Sequence, residues 1–331
     1  MTESLEGSRV LVTGAGGFIG SHLVEALLNQ RAQVRAFVRY NSRGDPGLLR
    51  LLSPDLQARI EVVAGDLRDR EAVQGALDGC ELVFHLGALI SIPYSYLHPV
   101  EVAETNFLGT LNVLLASRAV GLQRLVHASS SEVYGTAQQV PISEAHPLQG
   151  QSPYSASKIG ADKLVESFVC SYGLPAVTVR PFNTYGPRQS ARAVIPTIIT
   201  QALRRSQIHI GNVDTVRDFT YVTDTVEGLL LAARAPAADG QVYNLGTGHE
   251  IRIGELVRMI ADIIGRPAEV TVDPERMRPE KSEVMRLVSD NSAARAELRW
   301  SPQVGLQNGL TMTVAWMGQH LDLYESGRYQ F

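Results

Sequence analysis

The stretch Arg9-Val10-Leu11-Val12-Thr13-Gly14-Ala15-Gly16-Gly17-Phe18-Ile19-Gly20 decides the fold. Its first five residues are mostly apolar and short enough for a buried strand, and the strand breaks directly into glycines. Beyond the glycines, Ile19, Leu23, Ala26 and Leu27 recur at helical spacing. A strand, a glycine turn and a helix in that order let backbone approach a pyrophosphate. Gly14 permits the tight turn, Gly16 or Gly17 admits the phosphates, and Gly20 lets the helix pack close to the strand. Phe18 and Ile19 open the helix, whose N-terminal N–H groups face the anion. The spacing is G-x-x-G-x-x-G over Gly14, Gly17 and Gly20, not G-x-G-x-x-G. A strand-to-helix turn without a ligand is the alternative.

Working outward, residues 33–38, 60–64, 82–88, 123–128 and 176–180 read as further strands, the run 82–88 as a buried one, with helical patterns between them. Such alternation predicts an α/β fold: a Rossmann-like doubly wound parallel sheet with a smaller C-terminal substrate-binding lobe. The dinucleotide-binding part is expected over 1–180. The smaller lobe is expected mainly over 181–331, with return elements from about 215–245. The second strand ends Val38-Arg39-Tyr40-Asn41-Ser42-Arg43, with no carboxylate to hold ribose hydroxyls. Arg39 and Arg43 suit a 2′-phosphate, which favours NADP; NAD with two solvated loop arginines is the alternative. Asp66, followed by Leu67, either accepts an adenine amino group or caps the next helix. Leu86 and Ala88 end the fourth strand with room for a cofactor. His85 lies in an apolar run and is expected to be a packed core histidine.

The chain has 331 residues, 44% hydrophobic and 19% charged, the composition of a soluble globular protein. A formal net charge of −4 argues against a broad nucleic-acid-binding face. Two cysteines, Cys80 and Cys170, are too few for a disulfide scaffold or a metal cluster, and both are expected to be buried thiols. Met1 to Arg9 lacks the apolar centre of a signal peptide, and no apolar run reaches membrane-spanning length. A cytoplasmic location without membrane attachment is therefore expected.

Tyr154-Ser155-Ala156-Ser157-Lys158 carries the chemistry. A tyrosine and a lysine four apart share one helix face. An ammonium beside a phenol is expected to lower the phenol's pKa and make an oxygen base for a sugar or alcohol hydroxyl. Ser129-Ser130-Ser131-Glu132 begins where the fifth strand ends, at the carboxyl edge where open α/β sheets bind ligands.

Together these blocks, with Arg180-Pro181-Phe182-Asn183-Thr184-Tyr185-Gly186-Pro187-Arg188 and Arg217-Asp218-Phe219, resemble the extended short-chain dehydrogenase/reductases that act on nucleotide sugars. The likeness covers nearly the whole chain. It implies that Ser130 hydrogen-bonds the sugar 4-hydroxyl, that Tyr154 takes its proton, and that Lys158 holds the cofactor ribose. Hydride passes from C4 to a tightly held, recycled NADP or NAD. Asn183, Arg217, Arg278 and Arg188 are the matching positions for the substrate's diphosphate. Glu132 is the carboxylate that elimination across C5 and C6 needs, and so it favours a 4,6-dehydratase over a UDP-hexose 4-epimerase. Ser131 stands where dTDP-glucose dehydratases carry an acidic residue, a departure that looks like GDP-mannose 4,6-dehydratase. Over a longer span the chain resembles UDP-N-acetylglucosamine 4,6-dehydratases of the legionaminic-acid type. A UDP-glucuronate decarboxylase ranks lower, because residues 155–157 depart from its pattern. The resemblance also implies a homodimer through helices near 105–119 and 154–172. A non-catalytic dinucleotide sensor on the same fold is the competing class, and the intact Tyr154 and Lys158 argue against it.

Overall fold

Seven strands form the main sheet: β1 (Arg9–Thr13), β2 (Gln33–Arg39), β3 (Ile60–Gly65), β4 (Leu82–His85), β5 (Arg124–Ala128), β6 (Ala176–Pro181) and β7 (Val242–Leu245). Their spatial order is β7-β6-β5-β4-β1-β2-β3, and every neighbouring pair is parallel. The chain therefore runs outward from β1 to β3, then returns to the other side of β1 at β4. A crevice opens at that reversal, beyond the carboxyl ends of β1 and β4. The computed structural model describes residues 4–324; Met1–Glu3 and residues 325–331 of the leader and C-terminal readings lie outside the described residues.

Alternate side chains of each strand go to opposite faces, and both faces are covered except at the edge strand β3, where Glu61, Val62 and Ala64 are exposed. Leu11, Phe37, Val83 and Leu125 pack on one side with helices α2 (Arg70–Leu77), α3 (Gly109–Val120) and α4 (Pro153–Tyr172). Val10, Val12, Phe84 and Val126 pack on the other with α1 (Phe18–Asn29) and α5 (Val222–Arg234). Each fully buried side chain of this size contributes about 1.5–3 kcal/mol by leaving water. This two-sided burial explains why the strands read as continuous apolar runs.

Two expected helix boundaries differ. The helix expected from Thr105 begins with a π-helical turn over Glu104–Leu108 before α3. The helix expected over Leu306–Tyr324 stops at Gln319. After β6 the chain builds smaller sheets. Asn183–Tyr185 pairs with Phe219–Tyr221, and Gln207–Ile210 pairs with Glu269–Val272. Val216–Arg217 pairs with both Ile251–Arg252 and Arg286–Leu287. α5 and β7 return to the main sheet, β7 pairing with β6. Cys80 is buried, but Cys170 is exposed, because it falls on the outer side of α4. No helix of the described residues is long and apolar enough to cross a membrane. Among the described residues no cluster of His, Cys, Asp or Glu could hold a metal ion.

Candidate active site

A cleft of about 920 Å³ opens at the reversal of strand order. Gly14, Gly17, Phe18, Ile19 and Gly20 form one wall of it, with Arg39, Arg43, Leu86 and Ala88 around them. Gly14 has φ of +69°, and a Cβ there would meet the backbone N of Gly87 at 2.8 Å. A Cβ on Gly20 would meet the Gly14 carbonyl oxygen at 2.2 Å. Both positions exclude a side chain, and the N-cap of α1, Gly17, makes no side-chain cap bond. The first N–H groups of α1 thus remain for a ligand, and the cradle fits the pyrophosphate of a nicotinamide dinucleotide. The Asn41 side chain orders the loop after β2. Its Oδ1 accepts from Arg43 N at 3.1 Å and Asp45 N at 3.0 Å, and its Nδ2 donates to Asp45 O at 2.8 Å.

At the other end of the cleft stand Ser130, Ser131, Glu132, Tyr154 and Lys158. Two local features hold them there. β5 ends at Ala128, so residues 129–132 emerge at the crevice, where the Ser130 hydroxyl accepts from Glu132 N at 3.2 Å. Ser152 caps α4 and forms a capping box with Ser155, while Pro153 occupies the first turn. That fixes the start of the helix that carries Tyr154 and Lys158.

The electrostatics correct one expectation. Burial pushes the Tyr154 phenol up to about 12, against a hydrogen bond with Ser130 that pulls it down. Lys158 is not the group that lowers it: its Nζ donates to the Ala128 carbonyl at 2.8 Å. Burial in turn lowers the Lys158 ammonium to about 8, opposed by Asp162. In the protein alone, desolvation outweighs the charge that the sequence spacing promised.

Beneath the pair lies a buried polar row that the sequence reading missed. Tyr154, Lys158 and Asp162 follow at four-residue steps along α4. Arg180 Nη2 and Nε donate to Asp162 Oδ2 at 2.9 and 3.1 Å, and Arg180 Nη1 donates to the Tyr134 hydroxyl at 2.9 Å. The Tyr134 hydroxyl donates to Asn244 Oδ1 at 2.7 Å. Burial alone would raise the Asp162 carboxyl, but His127, Arg180 and Ser129 outweigh it and hold it below the usual range. His127 is lowered to about 4, first by burial and then by Lys158. His85 is buried, as expected, and bonds Thr13 Oγ1 at 2.7 Å and Thr110 Oγ1 at 3.0 Å. Asn106, in the π-helical turn, ties Leu89 to α4: Leu89 N donates to its Oδ1 at 2.7 Å, and its Nδ2 donates to Ser157 Oγ at 2.9 Å.

A second cavity of about 490 Å³ adjoins the cleft, and Asn183 and Arg278 line both. Arg217 lines the second cavity only. Arg278 Nη1 lies 3.6 Å from Glu132 Oε1, and Arg217 Nη2 lies 3.6 Å from Glu283 Oε1. Three sequence candidates stand elsewhere. Asp66 pairs with Arg68 at 2.7 Å, which holds its carboxyl low, and Asp69 caps α2 instead. Leu67 packs against Gly87 and Gly109. Arg188 pairs with Glu25 at 2.7 Å. None of the three lines either cavity.

The family described as GDP-mannose 4,6 dehydratase matches residues 11–313. The chain belongs to that family. It is 36% identical over 314 residues to a UDP-glucose 4-epimerase of Mycolicibacterium smegmatis, covering 92% of this chain and 97% of that one. It is 32% identical over 315 residues to a dTDP-glucose 4,6-dehydratase of Actinoplanes sp., covering 93% and 97%. Its structure resembles DesIV, a dTDP-glucose 4,6-dehydratase of Streptomyces venezuelae solved with NAD and TYD bound: TM-score 0.87, 30% identity, 96% of this chain and 99% of that one. It is accordingly an extended short-chain dehydrogenase/reductase and an NAD(P)-dependent enzyme of the sugar-nucleotide 4,6-dehydratase and epimerase kind.

Proposed function

We propose that the protein is a nucleotide-sugar 4,6-dehydratase that converts UDP-N-acetylglucosamine to a UDP-4-keto-6-deoxy sugar. The observation that carries the reading is a carboxylate, Glu132, lining the same cleft as Ser130, Tyr154 and Lys158. A nicotinamide dinucleotide bound in the glycine cradle supplies the oxidant and, later, the reductant of the cycle. Ser130 holds the sugar 4-hydroxyl beside Tyr154, and Tyr154 takes its proton as C4 becomes a ketone. Lys158 holds the cofactor ribose. The ketone acidifies C5–H; Glu132 takes that proton and delivers it to the C6 hydroxyl, which leaves as water. Ser131, buried in the cleft wall, orients the proton delivered to the leaving hydroxyl. Hydride then enters at C6 and a solvent proton at C5, while Tyr154 releases to solvent the proton it took from the 4-hydroxyl, so no cofactor is consumed.

NADP is the favoured dinucleotide, supported by Arg39 and Arg43 on the cleft wall at the end of β2. Asn183, Arg217 and Arg278 bind the diphosphate, Arg forks suiting phosphate oxygens. A homodimer through α3 and α4 agrees with the exposed apolar side chains of Leu108, in the π-helical turn before α3, and Tyr172, at the end of α4.

The Glu132→Gln variant tests the reading. It is expected to lose dehydration by about 100-fold or more while bound cofactor is still slowly reduced, seen as nicotinamide absorbance. Near-parental product formation would remove Glu132 from the chemistry. The second reading, a UDP-hexose 4-epimerase, is favoured by the 36% identity to the mycobacterial epimerase, and GDP-mannose is the alternative dehydratase substrate.

A further inference from the structure

The second cavity holds an arginine that makes no ion pair among the described residues. Arg192 lines it, and its Nε reaches only Ser190 Oγ, at 3.2 Å. Among the described residues no Asp or Glu pairs with Arg192. Its neighbours are different. Arg217 faces Glu283 and Arg278 faces Glu132, each at 3.6 Å. Arg276, also on the wall, is held by Asp273 at 3.0 Å. Burial lowers the Arg192 guanidinium, with no opposing charge to raise it. A half-buried guanidinium without a counter-ion costs free energy unless a ligand supplies the anion.

Glu132 and Glu283 already offset Arg278 and Arg217. Those two arginines therefore offer geometry to an incoming dianion but little net attraction. Glu275 also lines the cavity, but Arg192 is the arginine of this wall that no described carboxylate pairs. It sits beside Ala193, which lines both cavities, so it stands where the two spaces meet.

We propose that Arg192 is a further substrate-binding residue, donating to the phosphate oxygens of the nucleotide diphosphate. It supplies the charge that lets Arg217 and Arg278 turn from their glutamates to the substrate. This rests on the reading that the cavity takes a nucleotide diphosphate sugar.

Calorimetric titration of the cofactor-loaded protein tests both separately, because binding requires no turnover. UDP, GDP, dTDP and uridine are titrated into the parent, then UDP, uridine and UDP-N-acetylglucosamine into R192Q and R192K. R192Q is expected to weaken UDP roughly ten- to hundredfold, the range for losing hydrogen bonds between charged groups. Uridine affinity is expected to stay unchanged and R192K to recover part of the UDP loss. Unchanged UDP binding by R192Q overturns the assignment. Equal losses for UDP and uridine also overturn it, since the role is then structural. A loss confined to UDP-N-acetylglucosamine overturns it in favour of a sugar contact. If the parent binds none of the three nucleoside diphosphates, the proposed function itself fails.

Discussion

The protein uses charge in two opposite ways on the two sides of Tyr154, the proposed base. Beneath α4, Asp162, Arg180, Tyr134 and Asn244 are joined by contacts of 2.7–3.1 Å, all within hydrogen-bond reach. On the substrate side, Arg217–Glu283 and Arg278–Glu132 sit at 3.6 Å, beyond that reach. The first set is buried and tied together by these bonds, with His127 Nε2 also 3.3 Å from Asp162 Oδ1, so it behaves as a fixed scaffold. The second is loosely paired and has partners to exchange. On this reading the positioning groups are tightly bonded before substrate arrives, and the proposed binding groups are held only enough to keep their charges tolerable.

The sharpest way to break this contrast is to remove chemistry and leave the scaffold. Tyr154→Phe is expected to lower kcat by about 1000-fold while the melting curve stays close to the parent's. Retained turnover would move the base elsewhere. Asp162→Asn attacks the scaffold. It leaves Arg180 buried without its carboxylate and is expected to cost about 3–5 kcal/mol in denaturant unfolding. A loss well under 1 kcal/mol would mean that the row is not the rigid side.

The same variant has a pH signature. Asp162 raises Lys158, which stands at about 8 in the protein. Taking the carboxylate away lowers Lys158 further. Where the charged ammonium is the working form, the alkaline fall of kcat/KM begins near pH 8 in the parent and moves to lower pH in Asp162→Asn. Movement to higher pH contradicts the assignment. On the looser side, Arg278→Gln is expected to raise KM for the nucleotide sugar about tenfold, with a smaller stability loss than Asp162→Asn. The smallest effect is expected from Arg39→Ser, about tenfold or less in preference for NADP over NAD, read from cofactor titrations.

Much of this organisation was legible beforehand. Arg9–Gly20 announces a strand, a turn closed to side chains and a helix, because Gly14 and Gly20 leave no room for a Cβ. Tyr154, Lys158, Ser130 and Glu132 could be grouped because strand ends and helix starts converge at one sheet edge. Other features could not be read. Asp162 meets Arg180 and His127 only after β5 and β6 align, a pairing that spacing along the chain does not encode. Asp66 and Leu67 carry a motif, yet Arg68 and the close approach of Gly87 and Gly109 claim them. The sign of the Tyr154 shift was also hidden. It depends on how dry the site is and on the carbonyl that Lys158 finds, neither of which a four-residue spacing reveals.

Incubating the enzyme with UDP-N-acetylglucosamine in deuterated water, with mass and NMR analysis of the sugar, tests the central claim most directly. The account predicts a product lighter by one water and carrying solvent deuterium at C5. An isomer of unchanged mass without deuterium would contradict it and identify an epimerase.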